Sequence, residues 1–264
     1  MGCYQINLDT LPRIAIVIPA RLNSERLPSK ALLNFNNLPM IEHVRRRGLL
    51  NSYNVPVYVT SGDSQILETT SSFGGLISQS ELEHLNGTSR VHEFAQNTTF
   101  THFLILQGDE ILVLPDQLDS IIASILEHPE VDFWNMVTPL KDQAELSNPS
   151  VVKCLVKQNA EILTIFRKSP LVAEIDSQMN LILKICGLFA VSRNALSLMS
   201  NLQATPLETS ESIEQLKYLE FGYNIRAILT EISYPSINLP EDVATVSKIL
   251  LTDDRQNDVL KKIL

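Results

Sequence analysis

A chain of 264 residues, 44% hydrophobic and 19% charged, has the material for one large α/β domain and is too apolar to be disordered. Its formal charge of −9 excludes general binding to nucleic acid or anionic membrane, which needs a basic face, but allows a local basic pocket for a small anion. The cysteines Cys3, Cys154 and Cys186 show no CxxC spacing and the five histidines no metal-finger spacing, so neither a disulfide framework nor a zinc site is expected.

The opening MGCYQINLDTLPR lacks a basic region followed by an apolar core, so no signal peptide is expected, and no apolar run reaches membrane-spanning length. The expected location is the cytoplasm. In chain order, the runs RIAIVIPA (13–20), VPVYVTS (55–61), FLILQGD (103–109) and DFWNMVTP (132–139) predict strands. Helices are expected over 39–50, 63–72, 88–97 and 115–128, with Pro39 and Pro115 in first turns and Asp63 as an N-cap. Strands and helices alternating at this spacing predict a mostly parallel sheet covered on both faces, with ligands beyond the carboxyl ends of its strands.

The second half differs. VVKCLVKQNAEILTIF (151–166) predicts two strands around a polar turn and LILKICGLFAV (181–191) a further strand, together a smaller sheet beside the first. RKSPLVAEIDSQMN (167–180) is polar and irregular and is expected to be a mobile loop. A helix from Arg193, another over 211–221 with Gly222 as its C-cap, the strand NIRAILTEI (224–232) and a helix opening at PEDVATV (240–246) complete the chain. No glycine or serine linker separates the halves, so they are expected to share one core within a single domain, with 13–140 and 148–235 as its two parts and 236–264 as closing helices.

Four stretches can carry chemistry. IPARLNSERLPSKAL (18–32) places Arg21, Arg26 and Lys30, beside the acid Glu25, after the first strand, without the glycine spacing of a Walker or dinucleotide loop. Guanidinium groups pair phosphate oxygens and lysine adds a point charge, although a solvated cationic loop has the same composition. In LQGDEI (106–111), Asp109 and Glu110 follow a strand, where a carboxylate holds nucleotide-bound magnesium or caps a turn. HLNGTSR (84–90) offers Gly87, Thr88 and Arg90 at a helix start facing an anion, with Thr88 equally explained as a cap. In TPLETSESIEQLKYLEFG (205–222), Glu208, Glu211 and Gln215 are spaced by three and four and share one helical face, opposite Ile213, Leu216 and Leu219.

These stretches in this order, with LPMIEHV (38–44), NPSVVK (148–153) and NLPEDV (238–243), resemble the 3-deoxy-manno-octulosonate (KDO) cytidylyltransferases over nearly the whole chain. The resemblance implies a nucleotidyltransferase-type, Rossmann-like α/β fold, a homodimer, magnesium as cofactor, and transfer of CMP from CTP to a sugar acid with release of pyrophosphate. It implies Pro19, Ala20, Arg21, Ser24, Lys30, Gly87, Thr88, Arg90 and Gln107 at the nucleotide, with Arg21, Lys30 and Asp109 as the catalytic residues. Gln107, Arg167, Ile185, Phe189, Glu208, Glu211 and Gln215 fall to the acceptor, and Asp109 and Asn238 to the metal. The chain departs from the family pattern at Ser29, where the family has glycine, and at Asn238, where it has a metal-binding aspartate. It departs again at Ile185 and Phe189, which replace a histidine and a tyrosine, at Asn86 and Ser89, and in the stretch around Arg167. The losses concentrate on the acceptor side and leave three readings open: a KDO enzyme, the same chemistry on another acid (a modified octulosonate, another nonulosonate or a phosphonate), or a nucleotide-binding relative without catalysis.

Overall fold

The computed structural model of the protein describes residues 11–24, 26–84 and 86–264; Cys3, Glu25, Leu85 and the first ten residues lie outside it. In chain order the elements are β1 (Ile14–Pro19), a 3₁₀ turn (Lys30–Leu32), β2 (Asn34–Phe35), β3 (Leu38–Pro39), α1 (Met40–Leu49), β4 (Val57–Ser61) and α2 (Ser64–Ser72). They continue with β5 (Leu76–Gln79), α3 (Gly87–Gln96), β6 (His102–Leu106), α4 (Pro115–Glu127), β7 (Phe133–Pro139), α5 (Gln143–Ser147), β8 (Lys153–Val156) and β9 (Ile162–Phe166). The chain closes with α6 (Ile175–Leu181), β10 (Ile182–Ser192), α7 (Arg193–Asn201), α8 (Pro206–Glu211), α9 (Gln215–Glu220), β11 (Arg226–Leu229), α10 (Pro240–Thr252) and α11 (Asp254–Ile263).

One sheet runs β11-β7-β10-β6-β1-β4-β5. The pairs β1/β4, β1/β6, β4/β5 and β7/β11 are parallel, and β10 is antiparallel to both β6 and β7. The expected smaller sheet is the antiparallel β8–β9 hairpin, which joins the first residues of β10 and so extends this sheet. The pattern of the central strands explains the two covered faces. Ile14, Ile16 and Ile18 of β1 pack with Met40, Ile41 and Val44 of α1 and with α4 and α10. Ala15 and Val17, pointing the other way, pack with Val91, Phe94 and Ala95 of α3 and with α7 and α9. Both cores draw residues from both halves of the chain. From β1 the order runs outward through β4 to β5, then returns to β6 on the other side of β1, which makes the ends of β1 and β6 the switch point where ligands bind in such sheets.

Several local expectations are corrected. The helix predicted over 211–221 is two short helices, α8 and α9, broken at Ser212 in the left-handed conformation (φ 52°). The expected loop 167–180 contains the start of α6, whose residues are all at least partly exposed and so carry no apolar periodicity. Asp63 occupies the N-cap position of α2, but its carboxylate accepts from the Leu22 amide (2.8 Å) instead of capping. The cap of α3 is Asn86, accepting from the Ser89 amide at 2.8 Å, and not Thr88.

Ser29, the residue in the family's glycine position, has φ 54° and ψ 24°. A Cβ is disfavoured there by roughly 1 kcal/mol, part of which glycine returns through its larger unfolded-state entropy. Ser29→Gly should therefore stabilise the protein by about 0.5 kcal/mol, seen as a higher urea midpoint at unchanged slope. A lower midpoint would show that the serine makes a contact worth more than the strain.

Candidate active site

The loop after β1 is fastened from three directions. Lys30 Nζ donates to Asp109 Oδ2 (2.5 Å) and to the Ile237 carbonyl (3.1 Å), and the Ile237 amide donates to the Asp109 carbonyl (3.2 Å). Arg26 Nη2 donates to Asn238 Oδ1 (3.2 Å). Asp242 accepts from the amides of Asn238 (2.8 Å) and Leu239 (2.7 Å), so its carboxylate is committed to opening α10.

These groups enclose a cleft of about 360 Å³ lined by Pro19, Ala20, Arg21, Ser24, Arg26, Lys30, Gly87, Arg90, Gln107, Asp109 and Asn238, among others. Burial lowers the pKa of Arg90, although nearby Asp63 and Glu93 favour its charge. Its Nη1 is buried without a partner among the described residues, a donor left for a ligand. Glu93, one turn on from Arg90 in α3, accepts from Ser80 Oγ (2.5 Å), His84 Nε2 (2.6 Å) and the Glu81 amide (2.9 Å). Burial opposes ionisation of Glu93, but those hydrogen bonds prevail and hold its pKa near 2.

A second cavity of about 660 Å³ adjoins the first and shares Arg21, Asn86, Gly87 and Gln107 with it. Its floor is a bulge in β10, where pairing with β7 shifts register between Ile185 and Phe189. A Cβ on Gly187 would stand 2.2 Å from Glu110 Oε1, so a larger residue at the bulge would have to displace that carboxylate. Glu110 lines this cavity and is half-buried, and desolvation together with the neighbouring Asp109 charge raises its pKa, against the pull of Lys30. Buried Asn135 ties the bulge to α9 by donating to the Cys186 carbonyl (3.2 Å) and accepting from Gln215 Nε2 (3.4 Å). The wall formed by Ser150, Val151 and Val152 is held by Lys153, whose Nζ donates to the carbonyls of Asn148 (2.6 Å) and Arg167 (2.7 Å).

A model of the family described as Cytidylyltransferase matches residues 15–227. The chain belongs to the cytidylyltransferase family. It is 33% identical over 241 residues to the 3-deoxy-manno-octulosonate cytidylyltransferase of Solibacter usitatus, spanning 90% of this chain and 95% of that one. It is 29% identical over 244 residues to the 8-amino-3,8-dideoxy-manno-octulosonate cytidylyltransferase of Shewanella pealeana, spanning 91% and 99%. The fold matches the structure of a CMP:2-keto-3-deoxy-manno-octonic acid synthetase complexed with CTP with a TM-score of 0.85 at 29% identity, covering 90% of this chain and 98% of that one. The protein is thus a cytidylyltransferase with the nucleotidyltransferase-type α/β fold expected from its sequence.

In this cytidylyltransferase the residues assigned to the nucleotide from sequence come together: all but Thr88 line the first cleft, and Thr88 lines the second. The acceptor set divides. Gln107, Ile185, Phe189 and Gln215 line the second cavity. Phe189 is nevertheless mostly in the core, stacked on Phe133 with ring centroids 5.6 Å apart. Arg167, Glu208 and Glu211 do not line it. Arg167 donates to the carbonyls of Glu211 (2.5 Å), Pro149 (2.9 Å) and Ser212 (3.1 Å) and so staples the turn between α8 and α9. Glu208 closes a capping box with Thr205 and pairs with Lys217 (3.3 Å), and the break at Ser212 removes Glu211 from the face of Gln215.

Sequence reasoning missed Glu214. It reaches across the cleft to accept from Thr88 Oγ1 (2.9 Å) and Asn86 Nδ2 (3.3 Å), with its pKa raised by burial. It also missed Lys184, which lines the second cavity with Nζ 2.5 Å from Glu145 Oε1. The only sequence signal was that each adjoins a residue already singled out, Gln215 and Ile185.

Proposed function

We propose that the protein transfers CMP from CTP to an acid of the 3-deoxy-manno-octulosonate type. The observation that carries this reading is the pair of compartments meeting at Arg21, Asn86, Gly87 and Gln107, one rich in cations and the other large enough for a sugar acid. The named acceptors of the relatives and the CTP in the similar solved structure support the same division. An acceptor hydroxyl oxygen in the second compartment attacks the α-phosphorus, a new P–O bond forms, the bond to the β-phosphate oxygen breaks, and pyrophosphate leaves with the electron pair. The hydroxyl proton passes to solvent or a neighbouring base. Arg21, Lys30 and Arg90 hold the triphosphate and offset the charge that builds as the bond breaks, and Gln107 orients both substrates at the boundary.

Magnesium suits Asp109, since this ion is commonly held by one or two carboxylates together with phosphate oxygens, while Asn238 in the same cleft offers only a neutral amide oxygen that Arg26 already engages. When bound the ion would add positive charge beside the phosphates. Among the described residues no cluster of three His, Cys, Asp or Glu side chains is placed to hold a metal.

A second acceptor reading, the same chemistry on a less hydroxylated acid, is favoured by Ile185, Phe189, Met136 and Val151 in the acceptor wall, which offer no hydrogen bonds. Pyrophosphate release measured with the four nucleoside triphosphates against octulosonate, 8-amino-octulosonate, other nonulosonates and phosphonates separates the two. Turnover with CTP and octulosonate establishes the first reading. Turnover only with other acids establishes the second, and no CTP-dependent release with any acid rejects both.

With Arg167 committed to carbonyls, the acceptor carboxylate is placed against Lys184 and Arg21. Lys184→Met is expected to raise the acceptor KM about tenfold with the KM for CTP nearly unchanged. Equal changes in both constants would remove Lys184 from the acceptor site. Cytoplasmic location and a homodimer complete the proposal. The exposed apolar side chains Leu163, Val172, Ile175 and Leu181 are the kind of surface a second subunit would cover, and light scattering tests that directly. Among the described residues no helix is long and apolar enough to cross a membrane.

A further inference from the structure

Among the described residues lining the nucleotide cleft, the cations are Arg21, Arg26, Lys30 and Arg90, and the one carboxylate is Asp109. Asn238 fixes that imbalance. Its Oδ1 accepts from Arg26 and its Nδ2 donates to Ser236 Oγ (3.0 Å), so a neutral amide faces the guanidinium. An aspartate in the same rotamer would form an ion pair with Arg26 and cancel one positive charge facing the phosphates. The neighbouring Asp242 turns its Oδ2 to the amides of Asn238 and Leu239 and does not line the cleft. Replacing a carboxylate by an amide has two opposed effects: it weakens the hold on a divalent cation and raises the charge of the cleft by one unit.

We propose that Asn238 leaves the charge of Arg26 available to the triphosphate, so that this cleft binds the nucleotide without a divalent cation, using protein cations where a second carboxylate would have recruited metal. This rests on the nucleotide assignment above and concerns binding, not turnover. Arg26 acts as a phosphate ligand and Asn238 as the residue that positions it and leaves it unneutralised.

Isothermal titration of CTP into the protein, once in excess EDTA and once in excess magnesium, tests the idea. The expected result is a Kd in EDTA within about fivefold of that in magnesium. Asn238→Asp should weaken binding in EDTA by about tenfold while leaving binding in magnesium equal or tighter. Arg26→Met should weaken binding in EDTA by a similar factor, and the double variant should be little worse than either single one. Binding seen only with magnesium would overturn the inference and leave the nucleotide assignment standing. Equal binding of the wild type and Asn238→Asp in EDTA would also overturn it. No CTP binding in either condition would remove the nucleotide assignment, and the inference with it. Unfolding midpoints of the variants, measured alongside, show whether any loss is one of folding.

Discussion

Asp109→Asn is expected to lower kcat/KM by about 10³, while Glu110→Gln lowers it less than about tenfold. The two carboxyls are adjacent in sequence but differ in environment. Asp109 is bonded to Lys30 at 2.5 Å and lines the nucleotide cleft. It is the one described carboxylate there to hold a cation against the phosphates, and its amide would leave Lys30 without a counter-charge. Glu110 lies against Gly187 in the other compartment, where desolvation and the Asp109 charge raise its pKa and favour the protonated form. Glutamine is close in shape and charge to a protonated glutamate. Steady-state kinetics on both variants, with unfolding midpoints as a control for folding, check this. Equal losses would reassign the cation ligand.

The second large effect concerns stability and pH. His43 is fully buried on α1, with Nε2 2.6 Å from the Phe35 carbonyl. Burial lowers its pKa to about 4, with Arg47 and Arg46 acting in the same direction and the Phe35 carbonyl and Glu42 opposing. An unfolded imidazole titrates near 6.5, so as pH falls the unfolded chain takes up the proton first. The contribution of a neutral His43 is complete above that value and is lost progressively down to about pH 4. Between pH 7.5 and 5 the loss is about 2 kcal/mol. Glu110 acts in the opposite direction over part of this range, because a carboxyl with a raised pKa makes the fold less stable as pH rises. The decisive quantity is therefore the difference between the protein and His43→Gln. Urea titrations should show the variant's deficit shrinking by about 2 kcal/mol from pH 7.5 to 5. A deficit independent of pH would mean that the fold does not shift the pKa of His43, and a deficit growing as pH falls would mean that His43 is protonated in the fold. Glu93, with its pKa near 2, contributes in a separate window: its stabilisation is present above about pH 4.5 and is lost as pH falls toward 2.

The parts of the structure legible in the sequence are those whose surroundings are uniform. β1 and β6 are covered on both faces, so any register gives the same continuous apolar run, and the switch point between them followed from the order of strands and helices. The loop cations were legible because they directly follow a buried strand, where sheets of this kind bind their ligands. What was not legible depends on groups distant in sequence. The spacing of Glu208, Glu211 and Gln215 continues a helix through Ser212, but Arg167, more than forty residues earlier, holds the carbonyls of Glu211 and Ser212 and fixes the break. Asp63 reads as a cap and is taken by Leu22. Glu214 reads as one more surface acid until the fold brings Thr88 and Asn86 to it from 126 and 128 residues away.

The tie joining Lys30, Asp109 and Ile237 also bears on how the enzyme is made. A nascent chain that has emerged through β6 already holds Arg21, Arg26, Lys30 and Arg90 of the first cleft, but the segment that ties Lys30 in place is synthesised more than a hundred residues later. The last two helices fasten that segment, through Tyr234 on Asp253 (2.9 Å) and Gln256 on the Leu112 carbonyl (2.7 Å), and Arg46 of α1 holds the Ile263 carbonyl (2.5 Å). The first cleft is therefore assembled from segments far apart in the order of synthesis, and its loop is latched only once the residues around Ile237 have folded against the end of β6.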